Sequence, residues 1–176
     1  VAWYYEIHGL KEVVENLNRE IEKIENRSLG GLIEGARIVW EDVERTEPTT
    51  PVDTGNLRNS RFTVTATGVP TGMRSEGAFK DNPKTKLKGS QMHAEHTAAI
   101  TECQGIARAS EGGRRGKFLL MGYSANYAAP VHENMEARHW TRQSPAPSGP
   151  KWFEYSLKRN TGKIVEAVRK NAMIKR

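Results

Sequence analysis

Pro51-Val52-Asp53-Thr54-Gly55-Asn56-Leu57-Arg58 marks the point at which the chain changes character. Before it, apolar residues recur at helical spacing; after it, they alternate as in a strand. Read locally, the octet is a turn. Pro51 limits how the chain approaches it, and Gly55 permits a tight backbone approach. Asp53 is the expected N-cap, its carboxylate accepting the N–H of Gly55 or Asn56. Leu57 then points inward from a short helix that hands over to a strand at Arg61.

A catalytic reading stands beside the local one. Asp53-Thr54-Gly55 is the triplet of aspartic proteases, in which two such carboxylates share a proton. The triplet occurs once, so a dimer would be required. Its flanks are polar and basic, where those enzymes carry an apolar strand before and a small residue after. A three-residue motif is a weak signal by itself.

Upstream, residues 2–7 are rich in β-formers and read as a short strand ended by Gly9. Leu10, Val13, Val14, Leu17, Ile21 and Ile24 then share one helical face. Gly30-Gly31 interrupts the pattern, which resumes through Leu32, Ala36, Val39 and Val43 and must stop before Pro48. Two antiparallel helices, or one kinked helix, fit this equally well. Downstream, Arg61–Val69 alternates, with Phe62, Val64 and Ala66 on one side and Thr63, Thr65 and Thr67 on the other, as in a half-buried strand.

Residues 70–97 are polar, with two prolines, three glycines and several lysines, and read as a long loop or arm. Ile100–Ala109 is a weaker strand candidate, and residues 111–116 a turn. Phe118–Met121 is a short apolar run that reads as a central strand leading to Gly122 and Tyr123. A proline-rich connection at 141–150 precedes a last helix. On that helix Phe153, Leu157, Ile164, Val168 and Ala172 share a face, and Gly162 weakens it by about 1 kcal/mol relative to alanine. The expected fold is α+β. Helices from the two ends pack on a small, mainly antiparallel sheet, in one domain over 1–176 with 70–97 as a polar loop or arm insertion.

The 176 residues suffice for one domain with a core. At 36% hydrophobic and 27% charged residues the chain is lean in apolar content, which suggests either a long polar excursion or surfaces completed by partner subunits. No run approaches the ~18 apolar residues of a membrane span. The N-terminus lacks the basic-then-apolar order of a signal peptide. Cys103 is the single cysteine, pointing to assembly in a reducing compartment. The net charge of +6 permits an anionic partner, although a solvated basic surface is the simpler account of it.

Other constellations are less specific. His93-Ala94-Glu95-His96 could hold a metal if helical, or be solvated loop. Lys84, Lys86 and Lys88, with the basic tip Arg114-Arg115, are candidate contacts for phosphate, without aromatic residues interleaved to stack bases. Trp3, Trp40, Trp140 and Trp152 read as core or edge-packing residues, with Trp140 a candidate interface anchor.

The octet also resembles the Pro-Val-Asp-Thr-Gly-x-Leu-Arg signature of tail-completion, or head–tail joining, proteins of long-tailed bacteriophages. Three further segments match in the same order. His8-Gly9-Leu10-Lys11-Glu12-Val13 is similar to the family's entry to its first helix. Tyr127-Ala128-Ala129-Pro130-Val131-His132-Glu133 is similar to its Tyr-Ala-x-x-Val-x-Glu segment, and Gly149–Glu154 with Leu157 to its approach to the last helix. The chain departs in carrying Asn134-Met135-Glu136 where the family often has Phe-Gly-Thr, and in a longer polar arm. The resemblance implies a structural virion protein, not an enzyme, with no cofactor or metal. It would form a homo-oligomeric ring, six-fold in the usual case, at the top of the tail. It would be assembled in the host bacterial cytoplasm and would meet the tail-tube protein and the head-completion or neck proteins. Tyr127, Val131, His132, Glu133 and Trp140 become candidate interface residues. Lys84, Lys86, Lys88, Arg114 and Arg115 become candidate contacts to DNA passing through the lumen. A neck adaptor or minor capsid protein, or a basic nucleic-acid-binding protein, is the alternative.

Overall fold

A computed structural model describes residues 10–75, 77–82, 86–113, 116–136 and 146–173. The strand expected at 2–7, with Trp3, lies outside these residues, as do Lys84, Arg114, Arg115, His139, Trp140 and part of the 141–150 connection.

The elements in order are α1 (Leu10–Arg45), α2 (Asn56–Asn59), β1 (Arg61–Thr65), α3 (Gly89–Gly112), β2 (Leu119–Tyr123), α4 (Ala128–Glu133) and α5 (Trp152–Ala172). β1 and β2 form a two-stranded antiparallel sheet, with Thr63 opposite Met121. The α+β expectation holds: the first and last helices pack on this small sheet. Three layers result, with α1 and α5 on one face and α3 on the other.

The alternation of β1 divides its side chains between two cores. Phe62 and Val64 pack with Ile100 of α3. On the opposite face the Trp40 indole N–H donates to Thr63 Oγ1 at 2.7 Å. The threonine face is therefore covered, not solvated as a half-buried strand would require, because α1 lies over it. β2 divides likewise: Leu119, Met121 and Tyr123 pack toward Trp40, Trp152 and Phe153, and Leu120 toward α3. β1 is shorter than the expected Arg61–Val69, since Thr65 and Gly68 exchange backbone hydrogen bonds and turn the chain.

Three further expectations are corrected. First, α1 is one continuous helix through Gly30-Gly31. These glycines do not break it, because α5 needs the space: a Cβ on Gly31 would lie 2.5 Å from Val168 Cα, and one on Gly35 2.9 Å from Ile164 Cγ2. Second, Ile100–Ala109 is not a strand but the middle of α3, which also takes residues 89–97 out of the supposed arm. Residues 70–75 and 77–82 form a strap bound to the body rather than a free arm. Thr63 N–H donates to Met73 O along the edge of β1 away from β2, and Arg74 bridges Phe62. Third, the inward face of α5 is Trp152, Ser156, Asn160 and Ala167, with Phe153 and Ile164 beside it. Leu157 is exposed instead. Close approach to the glycines of α1 selects small residues for this seam, and Gly162 sits within an unbroken helix facing open space.

Candidate functional site

Asn56 is the buried centre of the octet. Its side chain clamps the strap backbone: Nδ2 donates to Lys80 O at 2.7 Å, and Oδ1 accepts from Lys80 N–H at 2.8 Å. Asn59, one turn on, donates to Ala78 O at 2.9 Å. The strap then delivers Asp81, whose carboxylate accepts the first N–H of α3, that of Gly89, at 2.8 Å. That bond, with Lys88 beside it, holds the Asp81 carboxyl below its ordinary range.

Asp53 does not cap α2. The capping position belongs to Gly55 in the left-handed conformation (φ 87°), with no side-chain cap bond. Thr54 Oγ1 accepts a long bond from Asn56 N–H at 3.4 Å. The geometric reason is that the left-handed Gly55 makes the turn itself and moves the capping position two residues past Asp53. Leu57 is buried as expected.

The octet and the Tyr127–Glu133 segment, far apart in sequence, come together. Pro51, Asp53, Thr54 and Leu57 from one side, and Tyr127 and Val131 from the other, with Asn82 of the strap, line a surface groove of about 310 Å³. Its walls are mainly apolar, and Asp53 is its exposed rim. Burial, and then the Asp53 charge, push the Tyr127 phenol above its ordinary range. The groove carries one carboxylate and one phenol.

The rest of the Tyr127–Glu133 segment fastens the start of α5. His132 packs edge-on against Trp152 with ring centres 4.8 Å apart, and its carbonyl accepts Lys151 N–H at 2.8 Å. Glu133 binds both His132 Nδ1 and the Lys151 ammonium, which lower its pKa, the lysine bond first. Lys151 also reaches Glu154 at 3.2 Å.

The remaining candidate residues are dispersed. Lys86 and Lys88 lie beside the Asn82–Leu87 bridge just before α3, and Lys88 pairs with Asp81 at 3.2 Å. His93 and His96, one turn apart on α3, both set their rings against Phe79: His93 is exposed, while His96 is 1% exposed and also packs on Phe62. Sequence reading missed the partner of His96, Ser124, whose Oγ lies 2.7 Å from Nδ1. Ser124 Oγ also lies 3.3 Å from Ser60 O, and the direction of its bond with Nδ1 follows the imidazole tautomer. Burial, followed by the charges of Arg74 and His93, pushes His96 down to about 4.

No family model, curated protein or solved structure matches the chain.

Proposed function

We propose that this chain is a structural tail-completion protein, closing a six-fold ring at the top of a phage tail tube and offering its other face to the neck. The observation that carries the reading is the groove. The two segments with the most specific resemblance to that family, 51–57 and 127–131, meet in it although some seventy residues separate them. An open, largely apolar groove with an acidic rim suits a protein segment of a neighbour. Ring closure would also give partners to apolar surface that the monomer leaves in water.

The test is to mix the purified chain with tail-tube protein and image the product in negative stain. Six-fold rings capping tube ends are expected. Tyr127→Glu combined with Val131→Glu is expected to abolish capping, with circular dichroism checking the fold because both residues are half-buried against the core. Asp53→Lys at the exposed rim is expected to weaken capping with the melting temperature within a few degrees. A chain that stays monomeric and never joins tubes overturns the proposal. Tight, salt-sensitive DNA binding without tube association would turn the reading toward a nucleic-acid-binding protein.

A further inference from the structure

The N-terminal half of α1 carries an apolar row with no partner among the described residues. Val14, Leu17, Ile21 and Ile24 are 47%, 58%, 45% and 36% exposed. Their spacing is three, four and three residues, the a/d pattern of a coiled-coil seam. Continued at four, three and four, the same row reaches Ser28, Gly31 and Gly35, and the two glycines are where α5 packs. One stripe thus runs the length of α1. α5 covers its C-terminal part and ends at Ala172, beside Gly30 and Glu34. The rest of α1, roughly 25 Å at 1.5 Å per residue, extends past that end. It is already helical and anchored, so a partner helix need not nucleate it.

We infer that the exposed half of this stripe pairs with the same half of a second copy, antiparallel, about a two-fold axis near residue 19. In this register Val14 meets the partner's Ile24, and Leu17 the partner's Ile21. Charge selects the orientation. Antiparallel pairing sets Lys11 opposite the partner's Glu25 twice. Parallel pairing sets Glu20 opposite the partner's Glu25 twice, which repels. Glu20 meets its own counterpart once near the antiparallel axis, against two Glu20–Glu25 encounters in the parallel pair, and its pair with Lys23 of its own helix at 2.6 Å eases both alike. The partner helix runs in the same direction as α5 and follows it along the stripe. Its first turn reaches the hollow of about 540 Å³ formed by Arg27, Glu34, Lys170, Asn171 and Met173. There Val13, 61% exposed, packs on the aliphatic stem of the partner's Arg27. The two-fold contact closes on itself and leaves the groove of Tyr127 and Val131 uncovered, so it stands apart from the ring.

The contact is read by cysteine cross-linking of the full chain in a Cys103→Ser background. Asn18 flanks the seam on the side where antiparallel partners face each other, so Asn18→Cys is expected to give a disulfide-linked dimer under mild oxidation at low micromolar protein. Val14→Cys, whose counterpart lies across the seam only in a parallel pair, is expected to stay uncross-linked. Adding Leu17→Glu and Ile21→Glu should remove the Asn18→Cys dimer band while circular dichroism and the melting transition of the body persist, because neither residue touches α5. The inference is overturned if Asn18→Cys fails to cross-link, if Val14→Cys cross-links in its place, or if the double glutamate variant cross-links unchanged. It is equally overturned if the stripe is protected from hydrogen exchange only when tail-tube protein is added. Ring imaging and cross-linking can each fail without the other.

Discussion

Asn56 holds more of the fold than any other side chain of the octet. It is 1% exposed and satisfies both backbone groups of Lys80. Asn56→Ala would leave those groups in a partly buried site short of a partner, at about 1–3 kcal/mol. Urea unfolding is expected to show that loss. His96 makes a second residue-scale prediction, in pH. Its folded-state pKa of about 4 lies below the ordinary 6.5. Between these values the unfolded chain takes up a proton that the folded chain refuses, so stability falls as pH drops through that window. The loss reaches roughly 3 kcal/mol if the full shift is realised, and is complete near pH 4. His96→Gln should flatten the stability profile between pH 6.5 and 4. Neither residue is legible in the sequence as a core member. A buried asparagine depends on the Lys80 backbone, which no spacing rule places beside it, and a histidine next to Ala, Glu and Thr reads as solvated.

At the scale of elements, the glycines of α1 separate a helix breaker from a packing device. Gly31→Ala should destabilise by about 1–3 kcal/mol through overpacking, because the methyl would meet the backbone of Val168. Gly162→Ala meets nothing within 4 Å and should stabilise α5 by up to about 1 kcal/mol. Opposite signs in thermal melts would separate the two roles. What could be read beforehand follows the same physics. Leu57 and the Phe62–Val64 alternation were legible because strong apolar periodicity marked them. The strand at Leu119–Tyr123 was legible as a compact apolar run, although it is one of only two described strands and half-buried, not the central strand that such a run suggests. α3 was not, because its buried row is Met92, His96, Ile100 and Ala107, and polar or small residues fill the turns between. With one histidine and one alanine in a row of four, the helical period nearly vanishes. The seam of α5 was misjudged for a related reason. Ser156 and Asn160 face inward because α5 lies close to α1, so the larger Leu157 is turned out to water.

For the whole molecule, the three-layer fold was predictable only in part. The pairing of terminal helices with a small antiparallel sheet could be argued from the two helical ends and the strands between them. The third layer could not, since α3 was hidden. The groove became visible only when α2, the strap and α4 were set in space, although Pro51, Asp53, Leu57, Tyr127 and Val131 had each been singled out on other grounds. What the groove receives is decided by the tube-capping experiment and its Tyr127→Glu, Val131→Glu control. The conclusion belongs to the assembly and not to any single side chain.

The mutual packing of α1 and α5 also sets a schedule for synthesis. Val39, Trp40 and Val43 are buried only once Trp152, Phe153 and Ser156 lie against them. β1 likewise waits for β2, with the strap and α3 intervening. The most extensive contact between elements, α1 with α5, therefore joins early chain to late chain, and such non-local pairing slows folding. While the ribosome is still working, α1 has no native cover on any part of its apolar stripe. A chain released before residue 152 should be found with chaperones or in inclusion bodies, whereas one carrying α5 should become protease-resistant after release. Pulse-chase protease resistance of nascent chains stalled on either side of α5 would reveal that step.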